Sequence, residues 1–118
     1  MKSIIIASSI ILAYLFSAPA DQDKKQPKIQ TYEVKVAGVC NECKERIEKA
    51  ALIKGVRFAD WNKDAQTLKV IYRTKHVSSE DIEKAIAETG HNTENFEATD
   101  EAYESLPGCC LYKTVEVH

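Results

Sequence analysis

This sequence has no strong excess of either positive or negative charge. Sixteen Lys and Arg stand against 18 Asp and Glu, a formal charge of −2 at pH 7. No general electrostatic case therefore exists for a nucleic-acid partner. Length is also in short supply. At 118 residues the chain excludes two ordinary domains, a barrel enzyme, or a dinucleotide fold with its substrate domain. There is no Ser/His/Asp set, phosphate loop or convincing carboxylate pair, which argues against an enzyme. Internal repeats and low-complexity segments are absent. Proline is scarce, with only Pro27 and Pro107 beyond the first twenty residues. What remains is ordinary: 44% hydrophobic and 29% charged residues, the composition of a small folded domain. Four cysteines are the unusual component.

The first twenty residues read as a targeting segment. Lys2 supplies a positive start, Ile4 to Phe16 is apolar apart from Ser8 and Ser9, and Ala18-Pro19-Ala20 offers small residues at a cleavage site. This is the pattern of a secretory signal peptide. A helix of about 13 apolar residues spans roughly 20 Å, short of the roughly 30 Å hydrocarbon core. The expectation is cleavage after Ala20, a mature chain that does not span the membrane, and a periplasmic or secreted location where thiols meet oxidants. Residues 21–30 form a flexible polar lead, 31–97 the domain, and 98–118 a C-terminal tail.

Tyr32, Val34 and Val36 alternate with charged residues, the period of a half-buried strand. Cys43, Ile47, Ala50 and Ala51 then fall on one helical face, with Gly55 placed to end that helix. Val56–Trp61 and Leu68–Tyr72 read as two strands joined by a polar turn, a hairpin. Ser78 with Asp81 predicts a capping box, and Val77 with Ile82 a hydrophobic staple, at the start of a second helix. Ile82, Ala85, Ile86 and Thr89 form its inward face, and Gly90 closes it. Phe96 suggests a short fourth strand, and 100–105 a helical turn. The order predicts an α+β, ferredoxin-like βαββαβ sandwich: a four-stranded antiparallel sheet with two helices on one face. Trp61, Tyr72 and Phe58 are read as sheet packing, and His76 and His118 as solvent-exposed.

Cys40-Asn41-Glu42-Cys43 runs from a loop into the first helical turn, so both sulfurs can converge on one ion. The helix start favours their thiolates. Two thiolates suit Cu(I) or Hg(II), whereas Zn(II), like Cd(II), needs further ligands. A disulfide is the plainer reading of the pair. A thioredoxin-like redox pair is a sharper rival, but that fold needs a proline loop facing the cysteines, and neither Pro27 nor Pro107 is placed for it.

These residues resemble the heavy-metal-associated domain family of copper chaperones, copper-ATPase modules and mercuric-ion-binding proteins. The likeness spans about Thr31 to Phe96. It rests on Cys40-x-x-Cys43 between strand and helix, Gly55-Val56 opening the second strand, and Thr89-Gly90-His91 at the end of the second helix. The resemblance implies that Cys40 and Cys43 bind the metal and that the position of His91 faces it. As partner it implies a metal-transporting membrane protein or another metal-binding domain. The chain departs from the family at Gly38, where a core Met is usual, so a less anchored loop is expected. His91 stands where Lys, Tyr or Phe is common; ligand and solvated bystander both stay open.

Cys109-Cys110 follows the turn Pro107-Gly108. Adjacent cysteines seldom bond each other. They could pair with Cys40 and Cys43, stay free, or swing over to add thiolates to the site. The overall expectation is an exposed, under-coordinated carrier site, with Cu(I) first and Hg(II), Zn(II) or Cd(II) as alternatives, that passes metal on by thiolate exchange.

Overall fold

The computed structural model describes residues 27–118. The signal-peptide assignment to residues 1–20 and most of the polar lead lie outside them. Strand β1 (Ile29–Lys35) leads through the cysteine loop into helix α1 (Asn41–Ala51), followed by β2 (Val56–Asn62), β3 (Thr67–Arg73), α2 (Ser79–Glu88), α3 (Asp100–Glu104) and a 3₁₀ turn at Gly108–Cys110. The sheet runs β1-β3-β2, antiparallel throughout. Val34, Leu68, Val70, Tyr72 and Trp61 point to one face and meet Ile47, Ala51, Ile82 and Ile86 in the core. Among the described residues, no helix is long and apolar enough to cross a membrane.

The α+β arrangement matches expectation, but the sheet has three strands among the described residues rather than four. Only one antiparallel bridge, Val36 with Thr93, marks the edge beside β1 where the fourth would add. The reason lies in the side chains of this segment. Thr93 N bonds Phe96 O at 2.8 Å, Thr93 Oγ1 accepts from Phe96 N at 3.0 Å, and Asn92 Oδ1 accepts from Ala98 N at 2.7 Å. Backbone groups that a ladder would use are thus taken locally. Buried Glu83 completes the replacement, accepting from Tyr32 Oη, Thr93 Oγ1 and the Asn95 backbone and side-chain amides.

Helix α2 starts as the sequence predicts. Asp81 N donates to Ser78 Oγ and Ser78 N to Asp81 Oδ2, both at 3.1 Å. Its buried face is Ile82, Glu83, Ile86 and Ala87, with Ala85 and Thr89 only half-buried. Helix α1 stops at Ala51, short of Gly55. Gly55 serves the following turn instead, where φ is +100° and a side chain would strike His76 and Val77. Phe58 is 43% exposed on the open face of the sheet, not packed as expected. Trp61 and Tyr72 are buried, while His76 and His118 are exposed.

Candidate metal centre

The backbone that presents the cysteines is held from three sides. Gly38 donates to Gln66 Oε1 at 3.0 Å and accepts from Gln66 Nε2 at 2.6 Å. A Cβ on Gly38 would lie 2.9 Å from two atoms of the Trp61 indole, whose Nε1 donates to Val36 O at 3.0 Å. The loop is therefore anchored, against expectation. Trp61 fills the space under it, and the missing Met side chain leaves no void there.

His91 is fully buried, contrary to a solvated loop residue. Its Nδ1 lies 2.8 Å from Ala37 O. Burial, with Arg46 nearby, holds the imidazole below its usual range against the opposing pull of that carbonyl. A neutral ring donates from Nδ1 and stacks on Tyr112 at 5.6 Å. His91 Nε2 has no hydrogen-bond partner among the described residues. Among the described residues His91 also belongs to no group of three ligand atoms drawn together. Its visible work is to pin the strand end that leads to Cys40.

The tail folds back over this region. Tyr112 Oη donates to Gly90 O at 2.7 Å and accepts from Asn92 N at 3.0 Å; Tyr103 packs edge-on against the same ring. Gly90, at φ +109°, leaves room for Ala102 O and Leu106, which would sit 2.7 and 2.9 Å from a Cβ there. His118 N donates to Val39 O at 2.8 Å. The docked tail delivers Cys110 to the loop.

The outcome is a thiol cluster. Cys40 Sγ lies 3.3 Å from Cys43 Sγ and 3.6 Å from Cys110 Sγ, and the three sulfurs fall within 4.8 Å of one another. All three residues are buried, at 5%, 0% and 0% exposure. Cys109 is exposed, 3.8 Å from Glu42 Oε2, and forms a second group with Glu42 and Cys110. All four thiols are free. The expected open pair is therefore a covered cluster, with Cys109 alone on the surface. Glu42 is a neighbour that sequence reasoning missed, since it reads as one more acid in the first helical turn.

The electrostatics of the cluster are uneven. Burial works to raise Cys40, but the Cys43 amide and the thiols of Cys43, Cys110 and Cys109 outweigh it and lower its pKa. Cys43 and Cys110 are pushed up, chiefly by burial. Sulfurs this close cannot all ionise without a cation among them. One negative charge is stabilised by neighbouring thiols, and a bound ion would release the remaining protons.

A small α+β sandwich with a C-x-x-C loop at the end of its first strand is the class that fold and site define. No family model and no curated protein matches the sequence. Solved structures do match. A CopZ metallochaperone is 29% identical over 54% of this chain and 98% of its own, at a TM-score of 0.52. The N-terminal domain of a potential copper-translocating P-type ATPase from Bacillus subtilis, in its Cu(I)-loaded state, is 31% identical over 55% of this chain and 84% of its own, also at 0.52. The heavy-metal-associated domain of the copper chaperone for superoxide dismutase, in its apo form, covers 75% of this chain and 90% of its own at 18% identity and 0.51, a likeness of fold alone. The chain belongs to the heavy-metal-associated domain family, of copper-chaperone type.

Proposed function

We propose that this protein is a non-catalytic carrier of a soft metal ion, Cu(I) first, held by Cys40 and Cys43 with Cys110 beside them as a third thiolate for ions that take one, and passed on by thiolate exchange. The observation that carries the reading is the convergence of those three sulfurs within 4.8 Å. Soft thiolates select Cu(I), Hg(II), Zn(II) or Cd(II) over hard cations. The potential copper-translocating ATPase domain that this chain resembles, described in its Cu(I)-loaded state, supports copper first. In transfer, a partner thiolate bonds to the ion as one sulfur of this chain leaves and takes up a proton. The approach is beside Cys109, the exposed thiol. The partner is a metal-transporting membrane protein or another metal-binding domain, met outside the cytoplasm, as the N-terminal segment 1–20 suggests.

Competition titration of the reduced chain with Cu(I), Zn(II) and Hg(II) tests this. One tightly held equivalent is expected, lost in Cys40→Ser/Cys43→Ser. Retention of tight Cu(I) by that variant, with its circular dichroism unchanged, would refute the site. The lowered Cys40 thiol beside Cys43 also fits disulfide exchange. Catalytic reduction of a disulfide substrate without stoichiometric metal would favour that second reading.

A further inference from the structure

The end of the sheet opposite the thiols is strongly basic. Two adjoining clefts of about 260 and 410 Å³ share Arg57, Arg73 and His76, and are completed chiefly by Lys28, Lys75 and Lys54; among the described residues no carboxylate lines either. All six side chains are exposed, and among the described residues none enters an ion pair. The backbone explains the gathering. Ile29 pairs with Arg73 across β1 and β3, and a bulge between Val56 and Phe58 sets Arg57 beside them. Two large apolar side chains stand exposed next to the cations, Ile29 at 44% and Phe58 at 43%.

We propose that this basic end docks on an anionic lipid bilayer. Cations supply attraction to the headgroups, while Ile29 and Phe58 are placed to enter the boundary with the acyl chains. Ile29 and Phe58, exposed beside the cations, favour a lipid surface over an acidic protein, since a bilayer would cover both. Thr74 Oγ1 bonds Pro27 O at 2.7 Å and Thr74 N bonds Lys28 O at 3.0 Å, so the polypeptide from residues 1–26 joins the domain at this end. Of that stretch, residues 21–26 stay with the domain after the expected cleavage behind Ala20, and Lys24 and Lys25 are offset there by Asp21 and Asp23, so the attraction rests on the cations of the folded end itself. Strand β1 then sets the orientation. Its seven residues separate the basic end from the cysteine loop by about 20 Å. A docked molecule holds its thiols away from the lipid, open to a partner.

The test floats the reduced chain from Asp21 onward, without metal, on vesicles of phosphatidylcholine or of phosphatidylcholine mixed with phosphatidylglycerol. Wild type partitions more tightly into the mixed vesicles, and salt removes the difference. Arg57→Gln/Arg73→Gln lowers partition into mixed vesicles about 25-fold, at about fivefold per cation, and leaves the phosphatidylcholine value unchanged. Lys28→Gln/Lys75→Gln does the same, which guards against a folding defect in the first pair. Equal partition of wild type into both vesicles, or unchanged binding by both variants, would overturn the proposal. Capture by soluble polyglutamate in preference to mixed vesicles would also overturn it and point to an acidic protein. Arg57→Gln/Arg73→Gln binds Cu(I) like wild type, so this inference and the carrier reading fail separately.

Discussion

Replacing Cys110 separates the coordination chemistries open to the thiol cluster. Around an ion with bonds of about 2.3 Å, tetrahedral sulfurs sit roughly 3.8 Å apart and linear ones roughly 4.6 Å apart. The observed spacings, 3.3 Å for Cys40–Cys43 and 3.6 Å for Cys40–Cys110, need widen by only about half an ångström or less for the first geometry. The second requires Cys40 and Cys43 to move apart by more than about an ångström. Zn(II) therefore uses Cys110, with exposed Cys109 within reach as a fourth ligand. Structural Zn(II) sites are worth about 10–16 kcal/mol over four ligands, so one thiolate accounts for about 3 kcal/mol, and Cys110→Ser weakens Zn(II) about 100-fold. Cu(I) accepts two sulfurs and keeps Cys40 and Cys43, so its loss stays below about tenfold. Competition against a chromophoric chelator, on reduced protein whose fold is checked by circular dichroism, measures both. Equal losses for the two metals, or none for either, would refute the argument.

Other expectations are independent of metal. Gly38→Met sets a side chain against Trp61; it lowers stability by about 1–3 kcal/mol, and adding Trp61→Leu recovers part of the loss in a denaturant titration. Glu83 is pushed up by burial, but the hydrogen bonds from Tyr32, Thr93 and Asn95 outweigh this and hold it below the usual carboxylate range. A depressed folded-state pKa gives stability that is present above the unfolded value, near 4.3, and lost as pH falls through the folded one. Glu83→Gln should remove that acid-dependent part of the unfolding free energy; an identical pH profile would count against it. Tyr112→Phe loses the bonds at Gly90 and Asn92 and loosens the tail by about 1–2 kcal/mol, read as faster proteolysis between Ser105 and Tyr112.

The helices and the hairpin were legible because their signals are local. Ser78 and Asp81 lie three residues apart, and alternation in β3 needs only its own three core positions, Leu68, Val70 and Tyr72. The third thiol was not legible in the same way. Cys110 stands 70 residues from Cys40, and what brings it back is a contact between Tyr112, Gly90 and His91 that leaves no periodic trace. The fourth strand was misread for a related reason. Phe96 suggests strand, but Thr93 bonds the Phe96 backbone, and Thr93 and Asn95 both bond Glu83, a charged residue whose burial the helical pattern of α2 would place at its edge. Gly38 was read as a missing anchor because the residue that fills its place, Trp61, comes from a different element.

On the proposed reading, the docked tail does more than add a ligand. Cys110 reaches the cluster only while Tyr112 and His118 hold the tail against Gly90, Asn92 and Val39. An ion that uses three sulfurs therefore stabilises docking, and docking tightens the ion by the same free energy, since coupling between two equilibria is reciprocal. The exposed surface of the cluster is then set by the tail, with Cys109 and Glu42 at its margin. A partner that competes for the tail would lower the coordination number from three to two without touching Cys40 or Cys43. Release would begin with Cys110, whose thiol is held protonated by burial and is thus the sulfur that most readily takes back a proton as its bond to the ion breaks.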